Sequence, residues 1–235
     1  VNATENTAAQ APGPTVNHRP GSRRRPRHHW LVPAGLIFLT LIPIIAGAAR
    51  LTELTGGATI TPRNERFFAS PVPVVTHIIS VTVYSLLGAF QFTPSLHRGR
   101  RSWHRTAGRI LIPAGFLAAL SGLWMALFYA LPPSDGLLLL ILRLVFGSAM
   151  LVSLILGVLA ITRRDFAKHG AWMTRAYAIG IAAGTQALIL IIPELLTGPP
   201  DVTSRAVLMG AAWVINLAVA EYVIRRGWGT PKMGA

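Results

Sequence analysis

Cysteine is absent from the 235 residues, which excludes disulfide frameworks, thiolate nucleophiles, cysteine-ligated zinc and iron–sulfur clusters together. Acidic residues are scarce, with 8 Asp and Glu against 22 Lys and Arg, and charged residues of either sign make up only 13% of the chain. An average soluble domain carries about 25%, so this chain cannot coat a globule of its size with water-compatible side chains. Gly-rich phosphate loops and internal repeats are missing as well. Lysine is nearly so: Lys168 and Lys232 stand alone among arginines, a bias that points to a GC-rich bacterial genome and hence to a plasma-membrane location. Hydrophobic residues make up 52% of the chain, and their grouping into long runs reads as a membrane protein.

Crossing about 30 Å of hydrocarbon takes roughly 20 apolar residues as a helix. Six stretches qualify. They run from Trp30 to Ala49, from Val74 to Pro94, from Arg105 to Leu131, from Gly136 to Thr162, from Gly170 to Pro193 and from Arg205 to Ile224. Their lengths predict helices, since barrel strands would alternate in polarity over about 10 residues. The expected fold is an all-α, polytopic membrane helical bundle: a disordered basic cytoplasmic tail over 1–29, a six-helix transmembrane domain over 30–226 and a C-terminal tail over 227–235. A cleaved secretory signal ending near Ala46-Gly47-Ala48 is the competing reading of the first run, but the run exceeds the usual 7–15 residues or so and predicts an uncleaved helix.

Six spans place both ends on one side, and 17 of the 22 basic residues fall there, whereas five of the eight acidic residues fall on the other. Cytoplasmic segments are enriched in Lys and Arg, so the chain is expected N-in and C-in. The charge excess is then largely topology, and no nucleic-acid partner is expected. The lipid bilayer is the partner that composition implies. Between the spans, Arg50 to Ser70 is the one long loop, with Phe67 and Phe68 expected to dip into the interface.

Ionisable groups at membrane depth are costly and need a partner, an exit to water or a function. On the second span His77, Ser80, Tyr84, Gly88 and Gln91 fall within an arc of about 80°, either a substrate or proton path or a set of interhelical hydrogen bonds. Arg143 enters the fourth span about two turns from its outer end. There it either snorkels, pairs with Glu194, or binds an anionic group. On the cytoplasmic side His97, His104 and His169 gather with Trp103 and Trp172. His104 heads a stripe through Gly108, Leu111, Gly115, Ala118, Gly122 and Ala126; His169 heads one through Ala176, Gly180, Ala183, Ala187 and Glu194. Such stripes let helix backbones approach closely. They also leave room for a flat macrocycle, with His104 and His169 as axial ligands of a b-type haem, Arg105, Arg109 and Arg175 as anion or propionate partners, and Trp172 also at the cofactor. A metal held by imidazoles alone is a further reading, although no His-x-x-x-His pair occurs. No Ser/His/Asp arrangement or carboxylate pair suggests hydrolytic chemistry.

Three segments carry a resemblance: Leu87-Gly88-Ala89-Phe90-Gln91-Phe92, then Trp103-His104-Arg105 with Gly108-Arg109, then Lys168-His169-Gly170-Ala171-Trp172-Met173-Thr174-Arg175. Over residues 67 to 193 the chain resembles the predicted membrane proteins of the domain-of-unknown-function 2306 family. That resemblance implies a small polytopic bacterial membrane protein with no assigned reaction. A weaker likeness is to transmembrane cytochromes b, although His77 is alone in the outer half, so at most one haem between His104 and His169 fits the inventory. Three functions follow as expectations. The first is a membrane redox protein binding haem b and able to take a quinone. The second is a transporter or binding protein for a small anionic molecule, using His77, Gln91 and Arg143. The third is a structural membrane protein.

Overall fold

The computed structural model describes residues 30–91 and 101–227. The tail over 1–29, the segment 92–100 with His97, and residues 228–235 lie outside the described residues. What is described is helical: α1 (Leu31–Thr55), α2 (Glu65–Ala69), α3 (Pro71–Gln91), α4 (Arg101–Phe128), α5 (Leu137–Thr162), α6 (Phe166–Gly180), α7 (Ala182–Thr197) and α8 (Val202–Arg225). With α6 and α7 taken as one interrupted span, six helices are long and apolar enough to cross a membrane.

The boundaries differ from the sequence expectations where local chemistry outweighs composition. The second span begins at Pro71, not Val74, because prolines are tolerated in a first turn, where the missing N–H would have no helical partner. The expected loop after the first span is mostly helical. In it α1 runs on to Thr55, Thr52 and Thr55 bond back to the Ala48 and Leu51 carbonyls, and Arg50 pairs with Glu53. Buried Asn64 then ties the turn together: it accepts from the Thr61 amide at 2.6 Å and donates to the Thr59 carbonyl at 3.1 Å and to Glu53.

Helices α1, α3, α4, α5, α8 and α7 pack each on the next, and α7 closes back on α1. Within this ring α6 touches α3, α4, α5 and α8, so the first half of the fifth span is central and its second half peripheral. Small residues make the contacts: Ala89, Ala107, Ala118, Ala176 and Ala206 are buried, with Tyr84, Leu111, Leu154 and Tyr177 filling the space between them. Close backbone approach of this kind suits a medium in which lipid tails are as apolar as leucine. The outer surface is correspondingly greasy, with Phe38, Val72, Leu120, Leu137, Val145 and Val207 all exposed. The terminal side of the bundle is that of Leu31 and Arg225, and the loop side is that of residues 56–64.

Candidate functional site

The fifth span breaks at Gly180–Ile181 without a proline. A break inside the apolar layer leaves backbone polar groups that side chains must satisfy. Asn216 of α8 does this: its amide donates to the Ala178 carbonyl at 3.0 Å, and its side-chain oxygen accepts from the Thr185 hydroxyl at 2.9 Å. Gln186 also donates to the Met209 carbonyl at 3.3 Å, tying α7 to α8. On its other side α7 meets α1 backbone to backbone, since a Cβ on Gly184 would sit 1.9 Å from the Leu39 carbonyl oxygen.

Where α7 leaves the centre there is a cavity of about 110 Å³ between α1, α3 and the break. Thr40 and Pro43 of α1, His77, Thr82 and Ser85 of α3, and Gly180, Ile181 and Ala183 at the break are among its walls. His77 Nδ1 lies 3.0 Å from the Ala118 carbonyl and 3.1 Å from the Ser121 hydroxyl oxygen. A carbonyl only accepts, and the Ser121 hydroxyl donates to the Leu117 carbonyl at 2.5 Å, so Nδ1 carries the proton. Nε2 is therefore the lone-pair nitrogen, and it has no hydrogen-bond partner among the described residues. Further along the same face Ser80 and Tyr84 are buried, Tyr84 against Gly115 and Gly180, while Gly88 lies under the ring of Tyr177. The Tyr177 hydroxyl donates to the Ser85 carbonyl at 2.7 Å. Gln91 closes the stripe, half-buried, about 21 Å from His77 along the helix.

Arg143 does not pair with Glu194. It donates to Asp135 at 2.6 Å, and Arg205 holds the other oxygen of the same carboxylate at 3.1 Å. Glu194 is exposed and makes no ion pair among the described residues. Asp135 lies just before α5 and reaches Arg143 in the second turn of that helix, and it reaches Arg205 because the α4–α5 turn lies against the start of α8, where a Cβ on Gly136 would meet Val202 at 2.6 Å. Burial resists ionisation of Asp135, but Arg143 and then Arg205 outweigh it and hold the carboxyl below its ordinary range. His77, Arg143 and Glu194 thus end in three separate settings.

On the terminal side His104 and His169 each lie in the first turn of a helix, α4 and α6, at the same end of the bundle. His169 is half-buried and its Nδ1 donates to the Gly157 carbonyl at 2.9 Å, whereas His104 is exposed, as are Arg105 and Arg109. Arg175 forms a bidentate pair with Glu221 at 2.5 and 3.1 Å and lies 4.6 Å over the Trp172 ring. Its guanidinium is therefore engaged by a carboxylate of this chain. Deeper in the bundle the small-residue stripes are filled by side chains. A Cβ on Gly115 would strike Tyr84 at 2.8 Å, one on Gly180 would strike Tyr84 at 2.9 Å, and one on Gly122 would meet His77 at 3.2 Å. Next to the two histidines Gly108 and Gly170 face open space. The residues present do not fit a haem held inside the bundle between α4 and α6. Among the described residues no group of three or more His, Asp or Glu could hold a metal ion.

Three residues that organise these sites were not picked out from the sequence: Asn64, Asp135 and Asn216. Asn216 had a readable signal, since it is the lone amide in the apolar run from Ala206 to Ala220. Asp135 and Asn64 had none, because both act through partners brought to them by the turns they sit in.

No curated protein and no solved structure matches the chain. The family described as "Predicted membrane protein (DUF2306)" matches residues 74–224, from the first turn of α3 to the end of α8, which is more than half of the chain. With that match and six apolar spans, the chain belongs to the DUF2306 family of multi-pass membrane proteins.

Proposed function

We propose that this protein is a transporter or binding protein for a small anionic molecule, with the cavity beside the broken fifth span as its site. The observation that carries the reading is the coincidence, at one place in the apolar layer, of a helix interruption, a cavity and a histidine in its wall whose Nε2 has no hydrogen-bond partner among the described residues. Interrupted spans whose second half begins at a cavity present the positive end of a helix dipole to the bound group. Here α7 begins at Ala182, and Ile181 and Ala183 line the cavity. A cavity of about 110 Å³ compares with roughly 30 Å³ for a water molecule in the liquid, so the ligand has about three to six heavy atoms. His77 would receive the proton that accompanies an anion into a low-dielectric site, so that the bound pair is neutral. Arg143, committed to Asp135, and Gln91, at the far end of α3, are not part of the site. A haem b seated between the two stripes is disfavoured by the side chains that fill them and by the Arg175–Glu221 pair. Excess arginine on the terminal side supports an N-in, C-in chain in a bacterial plasma membrane.

The test is thermal stabilisation of the detergent-purified protein by formate, acetate and nitrate. A ligand at about 100 times its Kd stabilises by about 2.7 kcal/mol. At least one of the three is expected to raise the Tm of the wild-type chain and to leave His77→Ala unchanged while its yield and elution volume are preserved. Equal stabilisation of the variant, or none by any probe, refutes the reading.

A further inference from the structure

A second cavity, of about 360 Å³, opens on the loop side between α2 and the end of α4, apart from the one beside the break. Its walls include Glu65 and Arg66 from α2 and Trp124, Phe128, Tyr129 and Leu131 from the end of α4 and the turn that follows. The aromatic groups are held in place. Phe67 meets Tyr129 edge-on at 5.5 Å, Tyr129 meets Trp124 edge-on at 5.5 Å, and the Tyr129 hydroxyl donates to the Ser70 carbonyl at 2.6 Å. A ring of Trp and Tyr at the edge of an apolar bundle marks the headgroup level of a bilayer.

The charges in this cavity are one of each sign, Glu65 and Arg66. Nearby Arg50 is bound to Glu53, and Arg143 and Arg205 share Asp135. Arg66 is half-buried, stacks 4.5 Å over Phe67, and makes no ion pair among the described residues; nor does Glu65, which is exposed. Burial, opposed by the field of Asp135 and reinforced by Arg50 and Arg143, disfavours the charged form of Arg66. A partly dehydrated guanidinium with five donors and no acceptor is satisfied best by a bidentate oxyanion. A carboxylate beside aromatic faces suits an ammonium group. Toward the bilayer centre from Trp124, Leu120 and Leu117 of α4 are exposed on the same face, a surface along which acyl chains can lie.

We infer that the loop-side cavity is a site for one zwitterionic phospholipid, with its phosphodiester on Arg66, its ammonium between Glu65 and the aromatic wall, and its chains along Leu120 and Leu117. Phosphatidylethanolamine has this chemistry. A lipid seated there would join α2 to α4 and would be carried through purification.

The experiment is native mass spectrometry of the full chain, delipidated in detergent and offered phosphatidylethanolamine, phosphatidylglycerol, diacylglycerol or soluble phosphoethanolamine. Phosphatidylethanolamine is expected to give the most persistent adduct. Arg66→Gln removes charge-assisted hydrogen bonds and should cut its retention about tenfold, while Arg63→Gln in the same loop should leave it unchanged. Glu65→Gln, at an exposed position that folding tolerates, should erase the preference over phosphatidylglycerol without abolishing binding. Equal retention of phosphatidylglycerol by the wild-type chain overturns the zwitterion assignment. Equal retention of diacylglycerol, or no effect of Arg66→Gln, overturns the site, and adducts with phosphoethanolamine as persistent as the lipid's overturn the choice of a membrane source.

Discussion

Asp135 is the place where one side chain holds three elements together, so its removal is the sharpest perturbation available. Its carboxylate is 3% exposed and accepts from Arg143 on α5 and Arg205 on α8, whose side chains are 32% and 31% exposed. Each charge-assisted hydrogen bond contributes about 1.5–3 kcal/mol when its loss leaves a buried group unpaired. Because both guanidiniums are about a third exposed and can rehydrate, the cost of Asp135→Asn should be about 2–3 kcal/mol rather than the full sum. At about 2–4 °C per kcal/mol for a chain of this size, the Tm in detergent should fall by about 4–12 °C, read at one fixed scan rate. The same carboxyl gives a pH dependence. Its folded form titrates below its ordinary range, so its contribution is complete above the unfolded pKa and is lost as pH falls through the folded one. Wild-type Tm should therefore drop on acidification more steeply than that of Asp135→Asn, and the two should converge at low pH. Parallel curves, or a neutral-pH shift of less than about 1 °C, would refute the assignment of Asp135 as a buried hub.

Three further outcomes follow from the packing. Gly184→Ala puts a Cβ 1.9 Å from the Leu39 carbonyl oxygen, which backbone cannot yield, and should cost about 1–3 kcal/mol or more; Gly108→Ala, facing open space, should be neutral or stabilising by up to about 1 kcal/mol, and paired thermal melts check both. Asn216→Ala leaves the Ala178 carbonyl and the Thr185 hydroxyl without this partner; it should cost about 1–3 kcal/mol and raise hydrogen exchange around residue 181 more than at the helix ends. Protein purified from haem-supplemented cells should show no Soret absorption, because Tyr84 and His77 occupy the room the glycine stripes make; a Soret band lost in His104→Ala and His169→Ala would overturn that reading.

Hydropathy is a property of contiguous residues, which is why the six spans could be read before any packing was known and why the fourth, Leu137–Thr162, falls within a residue of its expected start. The glycine and alanine stripes could be read for the same reason, since their seven-residue spacing is local. What fills them could not. Gly115 and Gly122 of α4 receive Tyr84 and His77 of α3, and nothing in either segment names the other. The break at Gly180–Ile181 escaped notice for a related reason. A proline interrupts a helix visibly, but here the interruption is sustained by Asn216, 38 residues beyond the carbonyl it satisfies. The Asp135–Arg205 pair spans 70 residues. Both depend on the ring closing as it does. A polar residue in an apolar span announces that some backbone or charge elsewhere needs it, but only the packed bundle says which. In this chain the lone amide of the sixth span supports the interruption of the fifth, and that interruption lies beside the imidazole of the second. The candidate site is therefore distributed over α1, α3, α6 and α7 and supported from α8, and a variant of Asn216, which does not line the cavity, should disturb any ligand effect that depends on His77.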